Sequence, residues 1–121
     1  MPPHILDPAT MKALADLSEQ GGGKLLPAMV EAFLDDECPS GVEQLRLAAA
    51  AGDQPAIARV AHKLRGSCAT FGALRLTQVC TELESEAKAG ALTAPAELLD
   101  RLNAELTDVA AELTRYRAPK G

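Results

Sequence analysis

The 121-residue chain reads as an all-α fold, on two observations. It is rich in Ala, Leu and Glu, with no Trp, one Tyr and two Phe, which suits close-packed helices and poorly suits a β-sandwich. Apolar residues also recur at spacings of three and four along most of the chain, in segments bounded by Gly, Pro and Asp. The length is that of one domain able to bury a core without staples, taken here as residues 1–121 with a core over 7–117.

Asp7-Pro8 starts the first helix, with the carboxylate as N-cap, proline at the first helical position, and Met11, Leu14 and Leu17 on its apolar side. Gly21-Gly22-Gly23 ends it, so this helix is short and is expected across one end of the fold. Lys24 to Ala51 is helical again, with Leu26, Met29, Val30, Phe33, Leu34, Val42 and Leu45 on one side. Pro39 removes a backbone donor and crowds the preceding turn, which predicts a kink or break over residues 38–40 and favours two helices. Glu31, Asp35, Asp36 and Glu37 read as a solvated outer face. Gly52-Asp53 closes this segment and caps the next helix. Gly72 marks a sharp turn, after which Leu76, Val79, Cys80, Leu83 and Ala87 form the stripe of a helix over 73–89. The last helix starts at Thr93 or Ala94 and buries Leu98, Leu102, Leu106, Val109, Leu113 and Tyr116, while Arg115, Arg117 and Lys120 complement its dipole.

A net charge of −5 with no basic run argues against nucleic acid as a partner. Cys38, Cys68 and Cys80 are an odd set without a C-x-x-C pair, so they read as reduced thiols and not as a disulfide framework or zinc site. The N-terminus lacks the basic and apolar regions of a signal peptide, and no stretch approaches a membrane span. A complete cytoplasmic protein is the expectation, with no cofactor or metal of its own.

The segment from Ile57 to Ala73 carries the chemistry. As a helix at about 100° per residue, it places Ile57, Val60, Ala61, Leu64, Cys68 and Phe71 on one buried face. His62 lies about 160° from Leu64, displayed on the opposite side among Ala58, Arg59, Arg65, Gly66 and Ala69. Glycine inside a helix costs about 1 kcal/mol relative to alanine, so Gly66 marks either a close approach by another molecule or a helix-packing contact. Folding the chain back at Gly72 brings His62 level with Glu84. That carboxylate either reaches the imidazole and fixes its tautomer, or belongs to the exposed series Glu82, Glu84, Glu86.

His62-Lys63-Leu64-Arg65-Gly66-Ser67, followed by Gly72-Ala73, resembles the H-x-L-[KR]-G-S-x-x-x-x-G-A signature of histidine-containing phosphotransfer domains. Cys80-Thr81-Glu82-Leu83-Glu84 resembles the family's C-x-x-[LI]-[EQ] stretch, and Arg65 stands where lysine is commoner. The resemblance implies an antiparallel four-helix bundle, to which the short N-terminal helix is extra, with one long helix across Pro39. It implies that His62 receives a phosphoryl group from a receiver-domain aspartyl phosphate or a histidine kinase and passes it to another receiver. Glu84 would orient the imidazole, and the receiver would supply the aspartate and Mg²⁺.

On that reading Arg65 stabilises the phosphoryl oxygens, Gly66 gives access, and Ala58, Arg59, Lys63 and Ala69 form the docking face. No P-loop or kinase-type glycine loop is present, so the chain is a carrier, expected as a monomer, and not an autonomous enzyme. Two alternatives remain at the level of sequence: the phosphoacceptor domain of a chemotaxis-type kinase, and a helical adaptor in which His62 has no chemistry. A histidine-kinase dimerisation domain fits poorly, because Lys63 occupies its acidic position and the proline that follows is missing.

Overall fold

The computed structural model describes residues 4–117, and among these the backbone is helical with no strand. Helix α1 (Pro8–Gln20) is capped by Asp7, whose side chain accepts from the backbone N–H of Thr10 at 3.0 Å. Helix α2 (Leu25–Ala32) runs through a π-helical turn (Phe33–Glu37) into α3 (Cys38–Ala50). Helices α4 (Gln54–Thr70), α5 (Leu74–Lys88) and α6 (Pro95–Leu113) follow, and a 3₁₀ turn (Thr114–Tyr116) extends the last.

The break expected at Pro39 is absent. Ala32, Phe33, Glu37 and Cys38 all keep right-handed helical dihedrals, and the N–H of Cys38 reaches back five residues to the carbonyl of Phe33. The π turn widens the helix just before the proline, where the regular ladder lacks a donor, and one continuous helical rod results.

This rod, α4, α5 and α6 form an antiparallel four-helix bundle, with successive registers fixed by pairs across each seam. Gly41 of α3 meets Leu64 of α4, His62 of α4 meets Glu84 of α5, and Arg75 and Glu82 of α5 pair with Glu105 and Arg101 of α6. Leu45, Ala61, Leu76, Leu83, Leu102 and Leu113 fill the centre at 1% exposure or less. Truncating any of the leucines to Ala costs about 2–5 kcal/mol. The chain's two phenylalanines, Phe33 and Phe71, meet edge to face with ring centroids 5.6 Å apart.

Helix α1 lies over one end of the bundle. The N–H of Asp7 donates to the carbonyl of Gly72 at 2.9 Å, seating the start of α1 on the α4–α5 turn. Gly72 has φ +66°, and a Cβ there would come within 2.8 Å of the Asp7 Cβ, so this turn requires glycine on both counts. Buried Ser18 ties the other end of α1 to α2 by accepting from the N–H of Leu26 at 3.0 Å.

Arg117 does more than complement a helix dipole. It forms a two-pronged ion pair with Asp35 at 3.0 and 3.1 Å, joining the end of the chain to the π turn and removing Asp35 from the simple solvated face expected for it. Lys120 lies outside the described residues. Among the described residues, no helix is long and apolar enough to cross a membrane.

Gly41 sets the distance between α3 and α4, since a Cβ added there would stand 2.8 Å from a Leu64 methyl and 3.1 Å from two further Leu64 carbons. Gly41→Ala is expected to lower unfolding free energy by up to about 2 kcal/mol, overpacking of about 1–3 kcal/mol being offset in part by about 1 kcal/mol of helix propensity, measured by urea denaturation.

Candidate functional site

Helix α4 presents His62 because its register is locked from two directions. Asp53 caps its start, accepting from the N–H of Ala56 at 3.1 Å, and Ile57, Val60, Ala61, Leu64 and Cys68 are committed to the core. Three or four apolar residues per two turns leave the opposite face to solvent, and the His62 side chain is 61% exposed there. The N-terminus of α4 is held further by Gln54, whose side-chain oxygen accepts from the N–H of Leu92 at 3.1 Å.

Helix α5 brings Glu84 alongside. The carboxylate is not part of an exposed acidic series: Glu82 and Glu86 face solvent, whereas the Glu84 side chain is only 6% exposed. His62 Nδ1 lies 2.8 Å from Glu84 Oε2, Arg65 Nη1 lies 2.9 Å from Oε1, and Lys88 Nζ lies 3.2 Å from Oε2. Burial works against the charged carboxylate. Hydrogen bonds from Lys88 and His62 and the positive charge of Arg65 outweigh it and hold Glu84 below its ordinary value of 4.5.

The tautomer follows from the donor count. An ionised carboxylate only accepts, so Nδ1 must carry the hydrogen that it donates to Oε2. Arg65 Nη2 also stands 3.0 Å from Nδ1, where it meets an N–H instead of a lone pair; its favourable contact is the ion pair through Nη1. The lone pair of the neutral ring is thereby left on Nε2.

Around the imidazole, Arg59, Lys63, Gly66 and Ala69 are exposed as expected. A Cβ on Gly66 would have no atom within 4 Å, so among the described residues no helix-packing contact calls for glycine there. Ala58 departs from the expectation of an open docking residue. It is buried at 6% exposure, because the α4–α5 seam runs closer to it than an ideal isolated helix suggests. It forms the floor of an open groove of about 480 Å³ lined also by Pro55, Arg59, His62, Glu84, Ala87 and Lys88. On the other side of α4, Lys63 and Ser67 border a smaller groove against α3 of about 170 Å³.

Lys88 was not singled out from the sequence. The signal available was its place four residues after Glu84, an i,i+4 pair on one helix, which is common on helix surfaces and gains meaning only once Glu84 is seen to face His62. The thiols of Cys68 and Cys80 are buried in the same α4–α5 seam, as their stripes predict. The hydrogen bond with Cys80 and burial push the Cys68 thiol up, away from reactivity. No group of His, Cys, Asp and Glu suited to a metal occurs among the described residues.

An exposed histidine backed by a buried carboxylate, on a four-helix bundle, is the arrangement that the resemblance to phosphotransfer domains implies. The family model of the Hpt domain matches residues 28–112, and the chain belongs to that family. The fold also matches the crystal structure of histidine-containing phosphotransfer protein B (HptB) from Pseudomonas aeruginosa PAO1, with a TM-score of 0.83 and 25% identity. That match covers 94% of this chain and 95% of the other. No curated protein sequence matches. The function is histidine phosphotransfer in phosphorelays.

Glu84 ties its charge state to stability. Because its folded value is depressed, the stabilisation it confers is present above the ordinary value of 4.5 and is lost as pH falls through the lower folded value. Wild type is therefore expected to lose stability relative to Glu84→Gln over that acidic interval, with no such relative loss near neutrality, as read by thermal melts across pH.

Proposed function

We propose that His62 is the phosphoryl acceptor of this phosphotransfer protein, loaded by a receiver-domain aspartyl phosphate or a histidine kinase and unloaded onto another receiver. The observation that carries this is an exposed His62 ring whose Nδ1 lies 2.8 Å from buried Glu84, so that the hydrogen held on Nδ1 leaves the lone pair of the neutral ring on Nε2. In the transfer step the Nε2 lone pair attacks phosphorus, the P–N bond forms, the P–O bond to the aspartyl carboxylate breaks, and that carboxylate leaves with the electron pair. The Nδ1 hydrogen stays on the ring, and positive charge that develops there is met by Glu84.

Space and charge around Nε2 suit that step. Gly66 and Ala69 leave the approach clear, and Arg65 contributes cationic charge to the phosphoryl oxygens. The phosphoryl donor is a receiver that seats over α4 and brings Mg²⁺ with its aspartate, while Arg59 and Lys63 border the contact and Ala58 floors the groove beside it. This chain holds no cofactor in that scheme and does not phosphorylate itself from ATP, in keeping with a sequence that lacks a P-loop. It acts as a cytoplasmic monomer.

Incubation with phosphorylated receiver domains is expected to label wild type, with label lost in acid and retained in alkali, and to leave His62→Gln unlabelled. A receiver that binds both proteins equally while labelling neither would establish the adaptor reading instead. Gly66→Ala separates access from folding: it is expected to raise stability by up to about 1 kcal/mol. The same variant slows phosphoryl transfer by about tenfold, read by quench-flow, because the added methyl displaces the incoming group.

A further inference from the structure

Glu84 answers to more than the imidazole. Its Oε2 receives both His62 Nδ1 at 2.8 Å and Lys88 Nζ at 3.2 Å, so the two donors share one oxygen and its negative charge, while Oε1 faces Arg65. The charged and titratable groups around the carboxylate are His62 and Arg65 from α4, and Lys88 with the Cys80 thiol from α5; Arg59 lines the same groove. With a neutral imidazole, Glu84, Arg65 and Lys88 together carry one net positive charge. Without Lys88 they would carry none, and a second proton on the ring would meet a carboxylate less occupied and surroundings less positive.

We propose that Lys88 is a positioning residue that limits the hold of Glu84 on His62 and so keeps Nε2 unprotonated, and nucleophilic, near neutral pH. The proposal rests on His62 being the acceptor. Protonated Nε2 has no lone pair to attack phosphorus, so the carboxylate that fixes the tautomer would, unopposed, also favour the inactive imidazolium. Lys88 is placed to separate these effects. Its side chain is 67% exposed and projects from the last turn of α5, so its charge can be removed without opening the core.

The test is a pH titration of the His62 ring by nitrogen-resolved NMR on the full chain, for wild type, Lys88→Met and Lys88→Arg. Lys88→Met is expected to raise the His62 midpoint by about half a unit to one unit, and Lys88→Arg to keep the wild-type midpoint. Phosphoryl transfer to Lys88→Met should then be impaired more at about pH 6.5, the ordinary imidazole midpoint, than two units above it. An unmoved midpoint in Lys88→Met, or the same shift in Lys88→Arg, would overturn the role of Lys88. Failure of the wild type to accept a phosphoryl group at any pH would overturn the acceptor reading instead, and leaves the titration result intact.

Discussion

The site depends on one buried carboxylate. Glu84 sits in the α4–α5 seam with three cationic or hydrogen-bonding partners, two from α4 and one from its own helix. An ionised side chain so enclosed would be costly if left unpaired, and its partners convert that cost into orientation. An acceptor-only group at Nδ1 calls for a hydrogen there, and in the neutral ring this leaves the lone pair on Nε2. The bundle's contribution is to hold the two helices in the register that makes this contact.

That register comes from packing at both ends of the seam. The Gly72 turn is clamped beneath the start of α1, and the opposite end is held by Asp53 capping α4 and Gln54 binding the α5–α6 loop. Between them, buried Ala61, Cys68, Cys80 and Leu83 let the helices approach closely. A slip of one residue along α4 would rotate His62 by about 100° and separate it from Glu84, so core packing and the chemistry of the site are one constraint. Gly66 is the exception. Among the described residues nothing lies within 4 Å of a Cβ built on it, so the packing of the bundle does not account for its helix penalty, whereas the access role proposed for it does.

Much of this was legible in the sequence because it is local. Asp7 and Asp53 announce their helices as caps, Gly72 announces a left-handed turn, and the periodicity of α4 puts His62 opposite Leu64 without tertiary information. Glu84 was half legible: counting residues to and from Gly72 brings it level with His62, but burial distinguishes it from exposed Glu82 and Glu86 only once α5 is docked. What escaped depends on contacts distant in sequence or on backbone adjustments without a composition signal. The π turn absorbs Pro39, Gly41 receives Leu64, Arg117 reaches Asp35 across 82 positions, Ala58 sinks into the seam, and Lys88 acquires meaning from a partner on another helix.

The tautomer of His62 and the nitrogen that carries phosphorus are two aspects of the same arrangement, and nitrogen–phosphorus NMR on labelled protein reads both. The account predicts hydrogen on Nδ1 of the neutral ring and, after loading from a receiver, phosphorus coupled to Nε2 of His62. Hydrogen on Nε2 in the unloaded protein, or phosphorus bonded to Nδ1, would contradict it, because Glu84 would then not be directing the nucleophile.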